Sequence, residues 1–355
     1  MNGVVTHDQL FDGPIDVVGD VHGEMDALRN LLRHLGYSVH GEHSQGRRLV
    51  FLGDLCDRGP DSPAVVSFVR QLMERGLAQC LLGNHELNVL RDAPKNGNGW
   101  FFEHNHDQAQ GRFLECAPAR EDEREAMQSF FATLPLTLQR DDLRLVHAAW
   151  MKDAIEQTLT KQHAPDVLSL YWLYERDTEA RVQASGLKAA MQAELREWEP
   201  RRQNPDVPVP VLPALGEYDE TYQMSNPVRV LTSGVERRTQ TPFFAGGKWR
   251  MVQRVPWWND YRDATPVIVG HYWRFVDAST CDSISKGEED LFARLAINDW
   301  SGIRRNVYCV DFSVGGRYKE RLQGGHSPWG TRLAAVRWPE RELVFDEGQR
   351  LPLRE

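Results

Sequence analysis

The chain has 355 residues, long enough to bury a large core, and a formal charge of −9 at pH 7. That charge excludes wrapping of duplex nucleic acid by bulk electrostatics, and no apolar run approaches the roughly 20 residues that span a bilayer. Five cysteines without paired spacing indicate reduced thiols, and residues 1–8 lack the basic and apolar parts of a signal peptide, so the expected compartment is the cytoplasm.

In chain order, short apolar runs at 15–18, 49–52 and 79–82 each lead into a polar block. The blocks read Gly-Asp-Val-His-Gly at 19–23, Gly-Asp-Leu-Cys-Asp-Arg-Gly at 53–59 and Gly-Asn-His-Glu at 83–86. Helical spacing follows. Residues 24–35 place Met25, Leu28, Leu31, Leu32 and Leu35 on one face, and Asp61-Ser62-Pro63 starts a helix carrying Val65, Val66, Val69 and Leu72. Repeated strand, turn and helix predict a mostly parallel sheet whose ligand crevice lies beyond the carboxyl ends of its strands. Asp20, His22, Asp54, Asn84 and His85 then meet at one edge, and such oxygen and imidazole donors suit a pair of borderline divalent cations. A single Gly-Asp before a turn is more often a local backbone cap; the joint pattern carries the assignment.

Beyond 150 the character changes. Residues 151–225 read as an insertion over the active edge of the sheet, with 1–150 and 226–355 forming the main domain. The insertion is expected to hold one helix at 166–174, a longer one at 178–198 and a proline-rich connector at 200–216. Its plain alternative is padding on one flank of the core. Trp249, Trp257, Trp258, Tyr261, Tyr272, Trp273 and Phe275 then gather, with rings that suit either a nucleobase or a core. Arg317, Lys319, Arg321 and Arg332 read as a solvated basic run. His7, His34, His40, His43, His104, His106, His163 and His326 read as core or surface side chains.

On its three polar blocks the chain resembles the calcineurin-like metallophosphoesterases, and within them the phosphoprotein phosphatase branch with its diadenosine tetraphosphatase relatives. Two later blocks join the pattern, Leu-Val-His at 145–147 and Val-Gly-His at 269–271, and Asp57-Arg58-Gly59 is typical of that branch. The resemblance covers 14–150 and 264–346, with closing strands at 309–312, 331–336 and 343–345. It implies an α/β four-layer sandwich, two mixed β-sheets face to face with helices outside. It also implies a ligand set: Asp20, His22 and Asp54 for one metal, Asp54, Asn84, His147 and His271 for the other. Many members read Gly-His-x-His in the last block; here Trp273 takes the final place, and the phosphatase branch likewise lacks that second histidine. Relatives place a second phosphate-binding arginine before this block, which nominates Arg262 over Arg254.

The chemistry needs these residues for reasons of its own. Two cations about 3.5–4 Å apart, sharing a carboxylate, activate water and clamp the oxygens of an in-line displacement. Arg58 offers a planar, permanently charged fork to phosphate. His85, next to a ligand but not itself nominated as one, is placed to protonate the leaving group, and Asp57 to orient its imidazole. The expected function is metal-dependent hydrolysis of phosphate monoesters, with serine/threonine phosphoproteins among the candidate substrates. Dinucleoside polyphosphate hydrolysis is the alternative, and a catalytically silent binding protein on the same fold comes next, followed by RNA end processing. Manganese is the first choice of metal, with iron or zinc also suitable. Substrates are phosphorylated small molecules, nucleotides or proteins; the oligomeric state is not legible.

Overall fold

The computed structural model describes residues 6–102, 113, 116–161, 164–284, 287 and 289–354. The chain opens with β1 (His7–Gln9), β2 (Ile15–Val18), α1 (Met25–Leu35), β3 (Arg48–Phe51), α2 (Ser62–Glu74), β4 (Ala78–Cys80) and α3 (Asn84–Leu90). The expected signals set these boundaries. Left-handed Gly36 ends α1, and Asp61 starts α2 by accepting the Ala64 N–H, with proline in the first turn.

After α4 (Glu121–Ala132), β5 (Thr137–Arg140) and β6 (Leu143–Val146) come α5 (Lys152–Thr160), α6 (Val167–Ala184), α7 (Leu187–Arg202), α8 (Pro213–Met224) and α9 (Pro227–Ser233). The helices divide differently from the sequence reading. Nothing between 174 and 178 interrupts α6, and the break falls at left-handed Gly186 (φ 76°). Nor is the proline-rich stretch free of helix: α7 reaches Arg202 with Pro200 inside it, and Pro213 opens α8, where a missing N–H costs no hydrogen bond.

A hairpin follows that the sequence reading did not anticipate, β7 (Glu236–Ala245) and β8 (Lys248–Arg254). It turns on Gly246 and Gly247, both left-handed. Then come β9 (Val267–Val269), α10 (Ala278–Ile284), β10 (Val307–Cys309), α11 (Arg317–Leu322), β11 (Ala334–Trp338), β12 (Glu342–Phe345) and β13 (Arg350–Pro352).

The strands form two mixed sheets besides the hairpin, ordered β1-β5-β6-β9-β10 and β13-β12-β11-β2-β3-β4. Each contains a parallel triplet, β6-β9-β10 in one and β2-β3-β4 in the other. Strand alternation sends Ile15, Val17 and Val50 of the second sheet into one buried cluster with Leu145, Ile268 and Tyr308 of the first. Their neighbours Val18, Phe51, Val146 and Val269 face the opposite way and pack with helix residues such as Leu28, Val66 and Leu231. The result is the expected four-layer α/β sandwich. Met191 of α7, Leu212 and Leu215 around the start of α8, and Met251 of the hairpin make a separate small core. Among the described residues, no helix is long and apolar enough to cross a membrane.

Candidate metal centre

The carboxyl ends of the two parallel triplets converge. Asp20, Asp54 and Asn84 follow β2, β3 and β4, while His147, His271 and Asp311 follow β6, β9 and β10. The turns there are tight. Gly53 is left-handed (φ 95°), and a Cβ on it would lie 2.5 Å from the Gly83 nitrogen. His22, Asp54, Asp57, Arg58 and His271 are also left-handed without being glycine, each at a cost on the order of 1 kcal/mol. Fixed partners hold them: the Asp57 N–H donates to Ser62 Oγ and the Arg58 N–H to the Gly97 carbonyl, both at 2.9 Å.

Asp54 lies at the middle of the cluster. Its Oδ2 stands 3.4 Å from His147 Nε2, 3.8 Å from His22 Nε2 and 3.9 Å from His85 Nε2, and its Oδ1 accepts the His85 backbone N–H at 3.0 Å. His22 spends Nδ1 on the Cys56 carbonyl at 2.9 Å, and His147 spends Nδ1 on the Leu52 carbonyl at 2.7 Å. Both therefore turn Nε2 toward the centre in the tautomer that a metal ligand needs. Asn84 Oδ1 is 2.8 Å from His271 Nδ1 and 3.3 Å from His147 Nε2. Asp20 accepts the His271 backbone N–H at 3.1 Å and lies 4.0 Å from His22 Nε2.

All six residues nominated as ligands thus share one place. Within it, two overlapping sets of donor atoms lie within 4.8 Å of one another, His22-Asp54-His85 and Asp54-His147-His271, the first including His85, which was not nominated as a ligand. His85 rather than Asp20 completes the tighter first set, because the Asp20 carboxylate is turned to the His271 N–H.

The electrostatics favour cations. Burial, then the carboxylates of Asp311 and Asp54, push Asp20 well above the ordinary carboxylate range. Burial acts the same way on Asp54, but the imidazoles of His147, His85 and His22 outweigh it and hold Asp54 well below that range. Burial lowers the His147 pKa, yet Asp54 and Asp20 prevail and push it up to about 10, so these carboxylates favour positive charge at this position. His22 is held well below its ordinary value by burial and by Arg58 and His85, which keeps it neutral. Several buried carboxylates among imidazole nitrogens are a donor set that divalent cations fit.

Arg58, His85 and Asp57 form a second constellation beside this one. Arg58 places Nη1 3.0 Å from His22 Nε2 and Nη2 2.8 Å from His85 Nε2, with its guanidinium 5.2 Å from the Trp273 ring. His85 Nδ1 hydrogen-bonds Asp57 Oδ2, and Trp100 Nε1–H donates to the other Asp57 oxygen at 2.6 Å.

Two residues of the site escaped the sequence reading. Glu86, fully buried, accepts the N–H groups of Asp54 and Leu55 at 2.8 Å and that of Gly83 at 3.1 Å. Its signal was position: it is the third residue of α3, the place of a capping-box glutamate. Asp311 is buried at the end of β10, with Oδ1 accepting the Ser313 N–H at 2.8 Å. Burial, against the lowering effect of that N–H and with Asp54 nearby, pushes it up to about 6. An Asp directly after an apolar run repeats the motif of the first block and was readable in the same way.

Arg262 is not brought to the cluster. It is exposed, lies beyond the amino end of β9, the far end from His271, and donates to the Asn259 carbonyl at 2.8 Å. The aromatic group divides as well: Trp257 and Trp258 are buried, with Trp258 stacked on Phe292 at 5.1 Å, while half-buried Trp273 faces Arg58. His104, His106 and His163 lie outside the described residues.

Several known proteins are similar to parts of this chain. The asymmetrical bis(5'-nucleosyl)-tetraphosphatase PrpE of Oceanobacillus iheyensis is 47% identical over 74 residues, 20% of this chain and 30% of that protein. The same-named protein of Bacillus velezensis is 34% identical over 148 residues, 39% of this chain and 58% of that protein. The chain therefore spans between about a third and three-fifths of these relatives' own lengths. Among solved structures, a cold-active protein-tyrosine phosphatase of a psychrophilic Shewanella aligns with a TM-score of 0.49 at 16% identity, over 99% of this chain and 84% of that one. Residues 13–185, just under half of the chain, match the model of the calcineurin-like phosphoesterases.

Proposed function

We propose that the chain is a dinuclear metal-dependent phosphoesterase in which Asp54 is shared between two cations. The observation that carries this reading is the position of its Oδ2, within 3.4–3.9 Å of three imidazole nitrogens contributed by different strand ends. Asp20, His22 and Asp54 would hold one cation, and Asp54, Asn84, His147 and His271 the other. Manganese is the first choice, with iron or zinc also compatible with this mixed donor set. Two divalent cations, when bound, supply Lewis acidity toward phosphoryl oxygens and lower the pKa of the attacking water.

The chain's own residues do the rest. Arg58 exchanges its contacts with His22 and His85 for two phosphate oxygens and stabilises the charge on the phosphoryl group. Once Arg58 has released Nε2, His85 can carry a proton on that nitrogen and pass it to the leaving oxygen, while Asp57 fixes the ring through Nδ1. We assign residues 151–225 the role of a cap that bears on substrate choice.

Dinucleoside polyphosphates come first among substrates, because the curated relatives that match this chain carry that name. Phosphate monoesters, the first choice on the residues alone, are the second reading, supported by the intact Asp57-Arg58-Gly59 block.

The test is turnover of diadenosine tetraphosphate, p-nitrophenyl phosphate and its bis-ester, with and without manganese, by the wild type and by Asp54→Asn. Manganese-dependent turnover that falls at least about 100-fold in the variant is expected. A folded protein that binds no cation under any condition would overturn the site. One that binds two cations yet turns over none of the three esters would be a silent binding protein.

A further inference from the structure

We propose that the cavity between the β7–β8 hairpin and the loop after His271 receives the nucleoside part of the substrate, its base and ribose, while the metal centre takes the phosphate. This rests on the reading of that centre as a phosphoesterase site. The cavity has a volume of about 680 Å³, well within the range of small-molecule sites. Phe243, Gln253 and Arg254 line it from the hairpin, Trp273 and Phe275 from the loop, and Phe292 from the segment that precedes β10.

Trp273 belongs to both places. It follows His271 by two residues, lines the cavity and sits 5.2 Å from the guanidinium of Arg58. A ring held against Trp273 is therefore a neighbour of the arginine assigned to phosphate. Part of the lining is fixed by the core: Phe292 stacks on buried Trp258, which in turn meets Tyr272 edge-on at 5.2 Å. Flat rings beside an amide and a guanidinium match a group that has two π faces and a hydrogen-bonding edge, as a nucleobase does. A phosphoserine offers these walls no ring, and places only one methylene between its phosphate and a peptide backbone. The hairpin lies outside residues 13–185, the segment that matches the family model, so the pocket is a property of this chain's later part.

The test titrates the protein with adenosine diphosphate, adenosine and inorganic phosphate, followed by tryptophan fluorescence, in the wild type, Phe243→Ala and Gln253→Ala. Turnover of diadenosine tetraphosphate and p-nitrophenyl phosphate is measured alongside. Quenching by both adenosine probes but not by phosphate is expected. Phe243→Ala should weaken adenosine diphosphate binding and raise KM for diadenosine tetraphosphate about tenfold, the size of one lost stacking contact, with p-nitrophenyl phosphate turnover within about twofold of wild type. If Phe243→Ala loses that turnover through misfolding, Gln253→Ala, which alters an exposed polar side chain, decides by the same criterion. Equal adenosine diphosphate affinity in the wild type and the folded variants overturns the proposal and leaves the metal-centre reading standing. A wild type that turns over neither ester defeats that earlier reading, while the fluorescence titration still decides the cavity.

Discussion

Glu86 holds Asp54 in place: its Oε2 accepts the Asp54 backbone N–H at 2.8 Å, and its Oε1 accepts that of Leu55 at the same distance. The carboxylate thereby fixes the left-handed turn that presents the Asp54 side chain to the cluster. Glu86→Gln keeps the size but sets an NH₂ against one of those N–H donors. Metal affinity is expected to fall about 10- to 100-fold, with kcat at saturating manganese changed much less. Metal titration of the purified variant checks this, and an unchanged affinity would remove Glu86 from a positioning role.

The pairing of His85 with Asp57 predicts a dependence on the leaving group. A proton donor matters most when the leaving oxygen is basic, so His85→Asn should slow an alkyl phosphate about 10²- to 10³-fold and p-nitrophenyl phosphate far less. Asp57→Asn should follow the same trend more weakly. A series of aryl and alkyl phosphates gives the slope; equal losses along the series would mean that His85 does not deliver the proton.

Gly270 has ordinary backbone angles, yet a Cβ on it would lie 2.1 Å from Asp20 Oδ1. Gly270→Ala must therefore displace the Asp20 carboxylate or the chain around it, at about 1–3 kcal/mol of stability. The expected outcome is a folded protein that binds less than its full complement of metal. Thermal melts combined with metal analysis distinguish this from simple unfolding, and wild-type stoichiometry would contradict it.

His7 ties β1 to α5 through Thr137 Oγ1 and Thr158 Oγ1, each at 2.6 Å. Thr158 already donates to the Ile155 carbonyl, so it accepts from His7 Nε2–H, and Nδ1 accepts from Thr137. Burial lowers the His7 pKa from 6.5 to about 4, against a raising contribution from Ile155. The unfolded chain therefore takes up this proton before the folded one does. The stabilisation is complete above pH 6.5 and is lost as pH falls toward 4, reaching about 3 kcal/mol at most. Urea unfolding across that window should show a shallower pH slope for His7→Gln than for the wild type; identical slopes would refute the assignment.

The residues of the cluster were legible because each is announced twice, by an apolar run before it and by a donor residue at the strand end. Asp20, Asp54 and Asn84 needed nothing more. His147 and His271 carry the first signal as strongly, but a lone histidine has many uses, and the resemblance was needed to join them to the rest. Glu86 was overlooked because its partners are backbone N–H groups, and its one signal, the capping-box position, marks a helix start rather than a site. Arg262 misled for the opposite reason: closeness in sequence to His271 suggested closeness in space, but β9 lies between them and carries the chain from one edge of the sheet to the other. The hairpin went unread although Gly246-Gly247 marks its turn, because β7 carries polar residues over most of its length and shows little alternation.

The oxygen donors Asp20, Asp54 and Asn84 stand on one sheet, and the late imidazoles His147 and His271 on the other. Sliding one sheet over its partner by a fraction of an ångström would change every distance between those two groups while leaving both sheets intact. The hydrocarbon layer beneath, where Ile15 and Val17 meet Leu145 and Ile268, therefore works as the gauge block of the site. Its stiffness sets the tolerance to which the two halves stay aligned, so a methylene removed there should cost reaction rate before it costs the fold.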